Sequence, residues 1–270
     1  MCIITISRGS YSSGKEVAEK VAACLHYDCV SRDILLEASD RYEVDEIKLV
    51  KAIHDAPSIL ERRGRKKETY IAYIRSALVS RVRSDNVVYH GLAGHLLLRG
   101  IPHVVKVRII ADIDRRSAME AQREGITLEK ARSAIIADDE QRRKWTQSLY
   151  GVDPWDSSLY DLVVKVDRLS IADAVDIVCD AAKREAFKTT PASQQKMEDL
   201  VTACAVKAAL IEEFPEVMVL SEYGNVIIHS ASGGRHAQKI RKAVGALETT
   251  IGGINSIEVH ADGNAPPGSV

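Results

Sequence analysis

The chain is short of aromatic residues, has an odd number of cysteines and carries almost no excess of charge, and each shortage removes a class of function. Phenylalanine, tryptophan and tyrosine together make up 5% of the 270 residues, which leaves no evident stacking platform for single-stranded nucleic acid. A formal net charge of −1, from 37 basic and 38 acidic residues, gives no global positive field for nucleic acid or an anionic membrane. Any anion binding must therefore be local. The five cysteines, Cys2, Cys24, Cys29, Cys179 and Cys204, include no CxxC pair. They read as reduced, mostly buried thiols, which argues against a disulfide framework and against a metal site. No run of about 18 apolar residues is present to cross a bilayer. The first strand begins beside Met1, so no signal peptide is expected and the expected location is the cytoplasm.

What is there is a hydrophobic share of 46% with 28% charged residues, the balance of a soluble globular protein of one large domain or two. The most informative stretch is the opening one. The apolar, β-branched run Ile3-Ile4-Thr5-Ile6-Ser7 passes through Arg8-Gly9-Ser10-Tyr11-Ser12-Ser13-Gly14-Lys15-Glu16 into the helical pattern Val17, Val21, Ala22 and Leu25. Gly9 to Gly14-Lys15 fits GxxxxGK in the strand–loop–helix context that a phosphate-binding loop requires. In such a loop successive backbone N–H groups point inward, the helix N-terminus adds partial positive charge, and Lys15 reaches the outer phosphates. Glu16 stands where a Ser or Thr hydroxyl ordinarily holds Mg²⁺. An ordinary turn ahead of a helix would instead leave Lys15 in solvent.

Further along, the residues leave alternatives open. Ser31, Arg32 and Asp33 lie between Tyr27-Asp28-Cys29-Val30 and a helical stretch from Ile34, where Ser31 either caps the helix or faces a ligand. Residues 41–84 read as helical, broken by His54-Asp55-Ala56-Pro57-Ser58 and by the basic run from Glu61 to Glu68, a phosphate clamp or a solvated loop. The strand Asn86–His90 runs into Gly91-Leu92-Ala93-Gly94-His95, where two glycines permit close backbone approach at a strand's carboxyl end, the side that binds ligands in doubly wound sheets. His90 and His95 are site or core histidines there. After a strand at 104–111, residues 112–145 read as two helices joined at Gly125-Ile126-Thr127. They carry Arg115, Arg116, Arg123, Asp138, Asp139, Arg142, Arg143 and Lys144. The Asp139-x-x-Arg142 spacing pairs those two on one face and holds Arg142 ready for phosphate, or the whole is an exposed, salt-bridged hairpin. A strand at 161–166 and a helix from Ile171 capped by Ser170 follow. Strands alternating with helices predict a parallel sheet covered on both faces.

Ile4-Thr5-Ile6-Ser7-Arg8, Ser13-Gly14-Lys15-Glu16, Asp139-Glu140-Gln141-Arg142, Trp155, and Tyr160-Asp161-Leu162-Val163 with Asp167-Arg168-Leu169-Ser170, in that order across residues 1–187, resemble the cytidylate kinase-like family of P-loop nucleoside monophosphate kinases. The resemblance implies an α/β fold, a P-loop three-layer parallel sheet with a helical lid. It implies ATP- and Mg²⁺-dependent phosphoryl transfer to CMP, dCMP or a related acceptor. Gly9, Ser10, Ser12, Ser13, Gly14, Lys15 and Glu16 would then hold the donor phosphates, with Glu16 toward Mg²⁺. Lys15, Arg115, Arg116 and Arg142 would carry the catalytic charge, and Ser31, Arg32, Asp33, Gly91, Arg123, Asp139 and Arg143 would meet the acceptor. Glu after the loop lysine is usual in this branch. One departure stands out: relatives carry glycine–arginine after the third strand, and here Gly91 is followed by Leu92. A catalytically weak, nucleotide-binding regulatory protein is the alternative that Leu92 and the C-terminal extension suggest.

Residues 188–195 are polar with a proline and read as a linker. Beyond them a helix near 196–213, strands at 217–220 and 226–229, a helix at 236–249 and a strand at 254–259 are similar to a BON domain, spanning 196–262. That resemblance implies ligand, membrane-associated or partner contact, or homodimerisation, and no catalysis. Residues 263–270 are expected to be disordered.

Overall fold

A computed structural model of the chain describes residues 1–10, 12–54, 66–231, 233–245, 247–261, 265, 266 and 268–270. Tyr11, the turn at Asp55-Ala56-Pro57-Ser58 and the basic run from Glu61 to Arg65 lie outside the described residues.

The β-branched run at the start forms strand β1, Ile3–Arg8, the centre of a five-stranded sheet. It pairs in parallel with β3, Val87–Tyr89, on one side and with β4, Val104–Ile110, on the other. The outer strands are β2, Asp28–Val30, beside β3, and β5, Leu162–Lys165, beside β4, giving the order β2-β3-β1-β4-β5, all parallel. β2 is not legible in the sequence, because it is three residues long with Asp28 and Cys29 exposed. A parallel sheet must be covered on both faces, and successive side chains of a strand point to opposite sides. Ile4 and Ile6 accordingly join Val17, Val21, Val107, Ile109 and Val178 in one buried cluster. This layer is built by α1, Gly14–Leu25, and α8, Ile171–Ala182, whose start is fixed by a reciprocal cap between Ser170 and Asp173.

The opposite face carries α2, Asp33–Tyr42, α3, Glu46–His54, α4, Lys66–Val82, and the short α5, Gly94–Leu97. The expected helical hairpin at 112–145 is α6, Ile113–Glu124, and α7, Leu128–Tyr150. Asp112 and Thr127 cap the two by accepting from the Asp114 and Lys130 N–H groups, and Gly125 ends the first at φ 64°.

Residues 191–195 are not a linker. Pro191 takes the first position of helix α9, Pro191–Leu210, behind a Thr190–Ser193 reciprocal cap, where its missing N–H costs nothing. Thr189 is tied back to Met1 through its N–H at 3.1 Å and its hydroxyl at 2.7 Å. After α9 come β6, Met218–Glu222, β7, Asn225–His229, α10, Gly233–Val244, α11, Leu247–Thr250, and β8, Ser256–His260. β6 and β7 are antiparallel, and β7 and β8 parallel, in a three-stranded mixed sheet. Its core is not separate: Met197, Leu200 and Cys204 of α9, with Val219 and Ile228, belong to the cluster that holds Ile74 and Leu78 of α4, Ile34 of α2 and Ile3. The disorder expected over 263–270 does not hold at its last residue. Val270 is buried and exchanges two backbone hydrogen bonds with Val219, at 2.8 and 3.0 Å, on the outer edge of β6.

Candidate active site

The loop between β1 and α1 leaves the centre of the sheet at its carboxyl edge, where a parallel α/β fold concentrates its ligand sites. It is braced from within: Ser12 Oγ donates to the Gly9 and Ile109 carbonyls at 2.9 and 3.2 Å, and Ser13 enters α1 at φ 60°, in the left-handed region. Ser12 therefore shapes the loop rather than facing a ligand. Lys15 is 63% exposed and, among the described residues, forms an ion pair with Glu19 alone, at 3.6 Å, while Glu16 pairs with Lys20 at 2.8 Å.

The hairpin folds over this loop through its acids. Asp139 accepts from the Ser10 backbone N–H at 2.9 Å and from Arg116 Nη1 at 2.7 Å, and Arg116 also donates to the Ser10 carbonyl at 3.0 Å. Asp138 accepts from the Ser10 hydroxyl and pairs with Arg142 at 3.1 Å. The sequence spacing had pointed to an Asp139–Arg142 pair. The helix instead gives Arg142 to Asp138 at the favourable i,i+4 distance and turns Asp139 to the loop.

Three cavities meet at the loop. One of about 690 Å³ lies over its outer side, between Lys15, Glu16 and Ser10 and the Glu120–Arg123 pair of α6. A second, of about 400 Å³, lies between the loop, the start of α2 and the end of β3, with Lys15, Ser31, Arg32, His90, Gly91 and Leu92 in its wall and Ile34, Leu35 and Val50 behind. A third, of about 30 Å³, is a slot bounded by Arg108, Asp139, Arg143 and Trp155. Arg8 and Arg142 line all three.

The expected site residues thus divide. Gly9, Ser10, Ser13, Gly14, Lys15, Glu16, Arg116, Asp139 and Arg142 surround the loop, and Ser31, Arg32 and Gly91 line the 400 Å³ cavity with Lys15. Ser31 caps nothing, since α2 begins after Arg32 without a side-chain cap. Asp33 is not part of that wall, and Arg32 pairs with Glu46 at 3.1 Å. Arg115 is not brought to the loop; it donates to the Asp167 carbonyl at 3.0 Å beyond β5. Arg123 leans on Glu120 at 2.9 Å. Arg143 is held by Asp153, at 2.6 Å, and lies over the Trp155 ring at 4.4 Å, in the slot rather than in the 400 Å³ cavity.

Gly91 is required by a neighbour. A Cβ there would stand 2.0 Å from the Tyr89 hydroxyl oxygen, so the buried Tyr89 ring folds back across the turn. Burial, reinforced by the Arg8 charge, lowers His90 to about 4, and burial beside Arg108 lowers His95 to about 3. Both rings are neutral at neutral pH. His95 is buried against Tyr160, ring centroids 4.6 Å apart, at the wall of the 30 Å³ slot, whereas His90 borders the 400 Å³ cavity. Of the cysteines, Cys24 and Cys29 prove exposed and the other three buried. Among the described residues no group of three or more His, Cys, Asp or Glu could by itself hold a metal ion. No described helix is long and apolar enough to cross a membrane.

Sequence reading missed two contributors. The motif alone gives Arg8 no role, and Asp138, not Asp139, is the partner of Arg142. The signal for Arg8 was available: strand alternation puts it on the side of Ile4 and Ile6, a charge at a core-facing position.

A model of the cytidylate kinase-like family matches residues 3–168, more than half of the chain and every element from β1 to β5. The chain belongs to the cytidylate kinase-like family. A cytidylate kinase of Pyrobaculum aerophilum is 29% identical over 182 residues, 67% of this chain and 92% of the relative. A cytidylate kinase of Methanopyrus kandleri is 41% identical over 66 residues, 24% of this chain and 34% of the relative. Among solved structures, an uncharacterized protein from Eubacterium ventriosum superposes with a TM-score of 0.53 at 19% identity, covering 67% of this chain and 97% of its own, a likeness of fold.

Proposed function

We propose that this member of the cytidylate kinase-like family is a nucleoside monophosphate kinase that transfers the terminal phosphoryl group of ATP to CMP, dCMP or a related acceptor. The observation that carries this reading is that Lys15 and Arg142 stand in the walls of both large cavities, one above the phosphate-type loop and one toward β3. A phosphoryl group passing between two nucleotides needs cations that reach both sides, because catalysis here is mainly positioning and charge stabilisation. In this reading the larger cavity takes the donor and the other the acceptor.

The residues suit a polyphosphate. The Ser10 N–H and hydroxyl already donate to carboxylate oxygens, which stand in for phosphate oxygens. Arrival of the donor would exchange those carboxylates for phosphates and free Arg116 and Arg142 to follow the charge. Mg²⁺ would be bound chiefly by the phosphates, with Glu16, Glu19 and Glu120 as carboxylates of the same cavity wall available to complete its shell, and it would neutralise the donor oxygens. Arg32 and Ser31 would meet the acceptor phosphate, with Ile34, Leu35 and Val50 against the base or sugar. In this reading residues 196–262 are a BON-like ligand or partner module, on the order α9, β6, β7, α10, α11, β8 alone.

The test is a coupled assay of the full chain with ATP, Mg²⁺ and each nucleoside monophosphate. Turnover with a cytidine monophosphate at least tenfold above the others supports the proposal; no turnover with any acceptor overturns it. Leu92 in the acceptor wall favours a second reading, a nucleotide-binding regulator. Calorimetry giving tight ATP binding with no acceptor binding would select it.

A further inference from the structure

Around the loop the cations are matched to partners with one exception. Lys15 has Glu19, Arg116 has Asp139, Arg142 has Asp138, Arg143 has Asp153 and Arg32 has Glu46. Among the described residues no hydrogen bond or ion pair falls on the Arg8 guanidinium. The residue is partly buried at the end of the central strand, and its stem is built in: a Cβ on Gly14 would stand 2.7 Å from Arg8 Cβ and 3.0 Å from its Cδ. The second glycine of the loop thus opens the lane along which Arg8 passes under the start of α1. Its surroundings disfavour charge. Burial and then the neighbouring Arg142 lower its pKa, opposed in part by Asp138 and Glu19.

A desolvated guanidinium next to a like charge is costly unless an anion completes it. Its planar fork of donors suits two oxygens of one phosphoryl group. Arg8 also lines all three cavities that meet at the loop, which only a group at their junction can do.

We infer that Arg8 is an oxyanion-binding residue, receiving a phosphoryl group where the cavity over the loop and the 400 Å³ cavity join. If the kinase reading above holds, on which this clause alone rests, that group is the one transferred, and Arg8 supplies from β1 a guanidinium that the acceptor turn, with Leu92, does not. Anion capture itself requires no turnover.

The experiment uses the full chain and its Arg8→Gln and Arg8→Lys variants. Each is titrated calorimetrically with inorganic pyrophosphate, ATP with Mg²⁺, and CMP, and each is melted and assayed for turnover. Wild type is expected to bind pyrophosphate, Arg8→Gln at least about tenfold more weakly, and Arg8→Lys in between. The melting temperature of Arg8→Gln is expected to equal or exceed that of wild type, because an unmatched charge is removed. A larger loss for ATP than for CMP assigns the contact to the donor phosphate, and the reverse to the acceptor. Pyrophosphate binding unchanged in Arg8→Gln, or absent from wild type, overturns the inference. Should Arg8→Gln fail to fold, wild-type affinity in Arg8→Lys overturns it and weakened affinity upholds it. Pyrophosphate bound through Arg8 without turnover of any monophosphate would sink the kinase reading and leave this one standing.

Discussion

Asp139 accepts the backbone N–H of Ser10 at 2.9 Å, so that a carboxylate of the α6–α7 hairpin holds a donor of the loop. The same carboxylate carries Arg116 at 2.7 Å, with both side chains largely shielded. In the proposed reading an incoming phosphate has to compete with it. Asp139→Asn keeps an acceptor but loses the charge, which weakens both contacts and relieves repulsion of the ligand. The variant should bind pyrophosphate several-fold more tightly by calorimetry while losing about 1 kcal/mol of stability to urea. Equal or weaker binding would show that Asp139 does not compete.

Lys15 offers the opposite balance. It is 63% exposed and its ion pair to Glu19 is 3.6 Å long, so it contributes little to the fold. Lys15→Ala should reduce turnover by about a hundredfold or more, with a melting temperature close to wild type. Retained turnover in an intact fold would remove Lys15 from the phosphate site.

His90 and His95 set an acid limit. Their folded values, about 4 and about 3, lie below the roughly 6.5 of an unfolded histidine. Below that unfolded value the unfolded chain holds more protons than the folded one, so stability is complete above about pH 6.5 and drains away as pH falls toward the folded values. Urea midpoints measured from pH 8 to pH 4 should stay level and then decline. His95→Gln, which cannot take up a proton, should decline less steeply. Identical slopes for the two proteins would refute the assignment.

Truncation after Thr190 should not yield a well-behaved cytidylate kinase-like domain. The cut removes Met197, Leu200 and Cys204 from the cluster that covers Ile74 and Leu78 on α4. Exposing a contiguous apolar face of this kind favours aggregation. Size-exclusion chromatography should give aggregate or a strongly destabilised monomer. A monomer that melts with the full chain would mean that the two parts are independent.

Much of the sheet was legible in the residues. β1, β3, β4 and β5 are β-branched runs, and α6, α7 and α8 announce themselves through Asp112, Gly125, Thr127 and Ser170 at their ends. β2 was not, since three residues with two exposed carry no periodicity. Pro191 read as a linker because proline opens helices and punctuates loops alike, and only the Thr190–Ser193 cap decides between them. The loop was visible from Gly9, Gly14 and Lys15. Its contacts with Asp139 and Arg116 were not, because they depend on how the hairpin lies across the sheet, which no local spacing encodes. Arg8 was half visible: alternation could place it, but that no acid waits for it is a property of the packed molecule.

α4 is buried along much of its length because it serves two masters, with α2 and α3 on one flank and α9 on the other. Close-packed interfaces do not slide freely. The three-stranded sheet is therefore in mechanical series with the helices that wall the 400 Å³ cavity. Ile34, Leu35 and Val50 of the cavity wall thus stand one packed helix away from the seam between α4 and α9, and β6 packs on the far side of that seam.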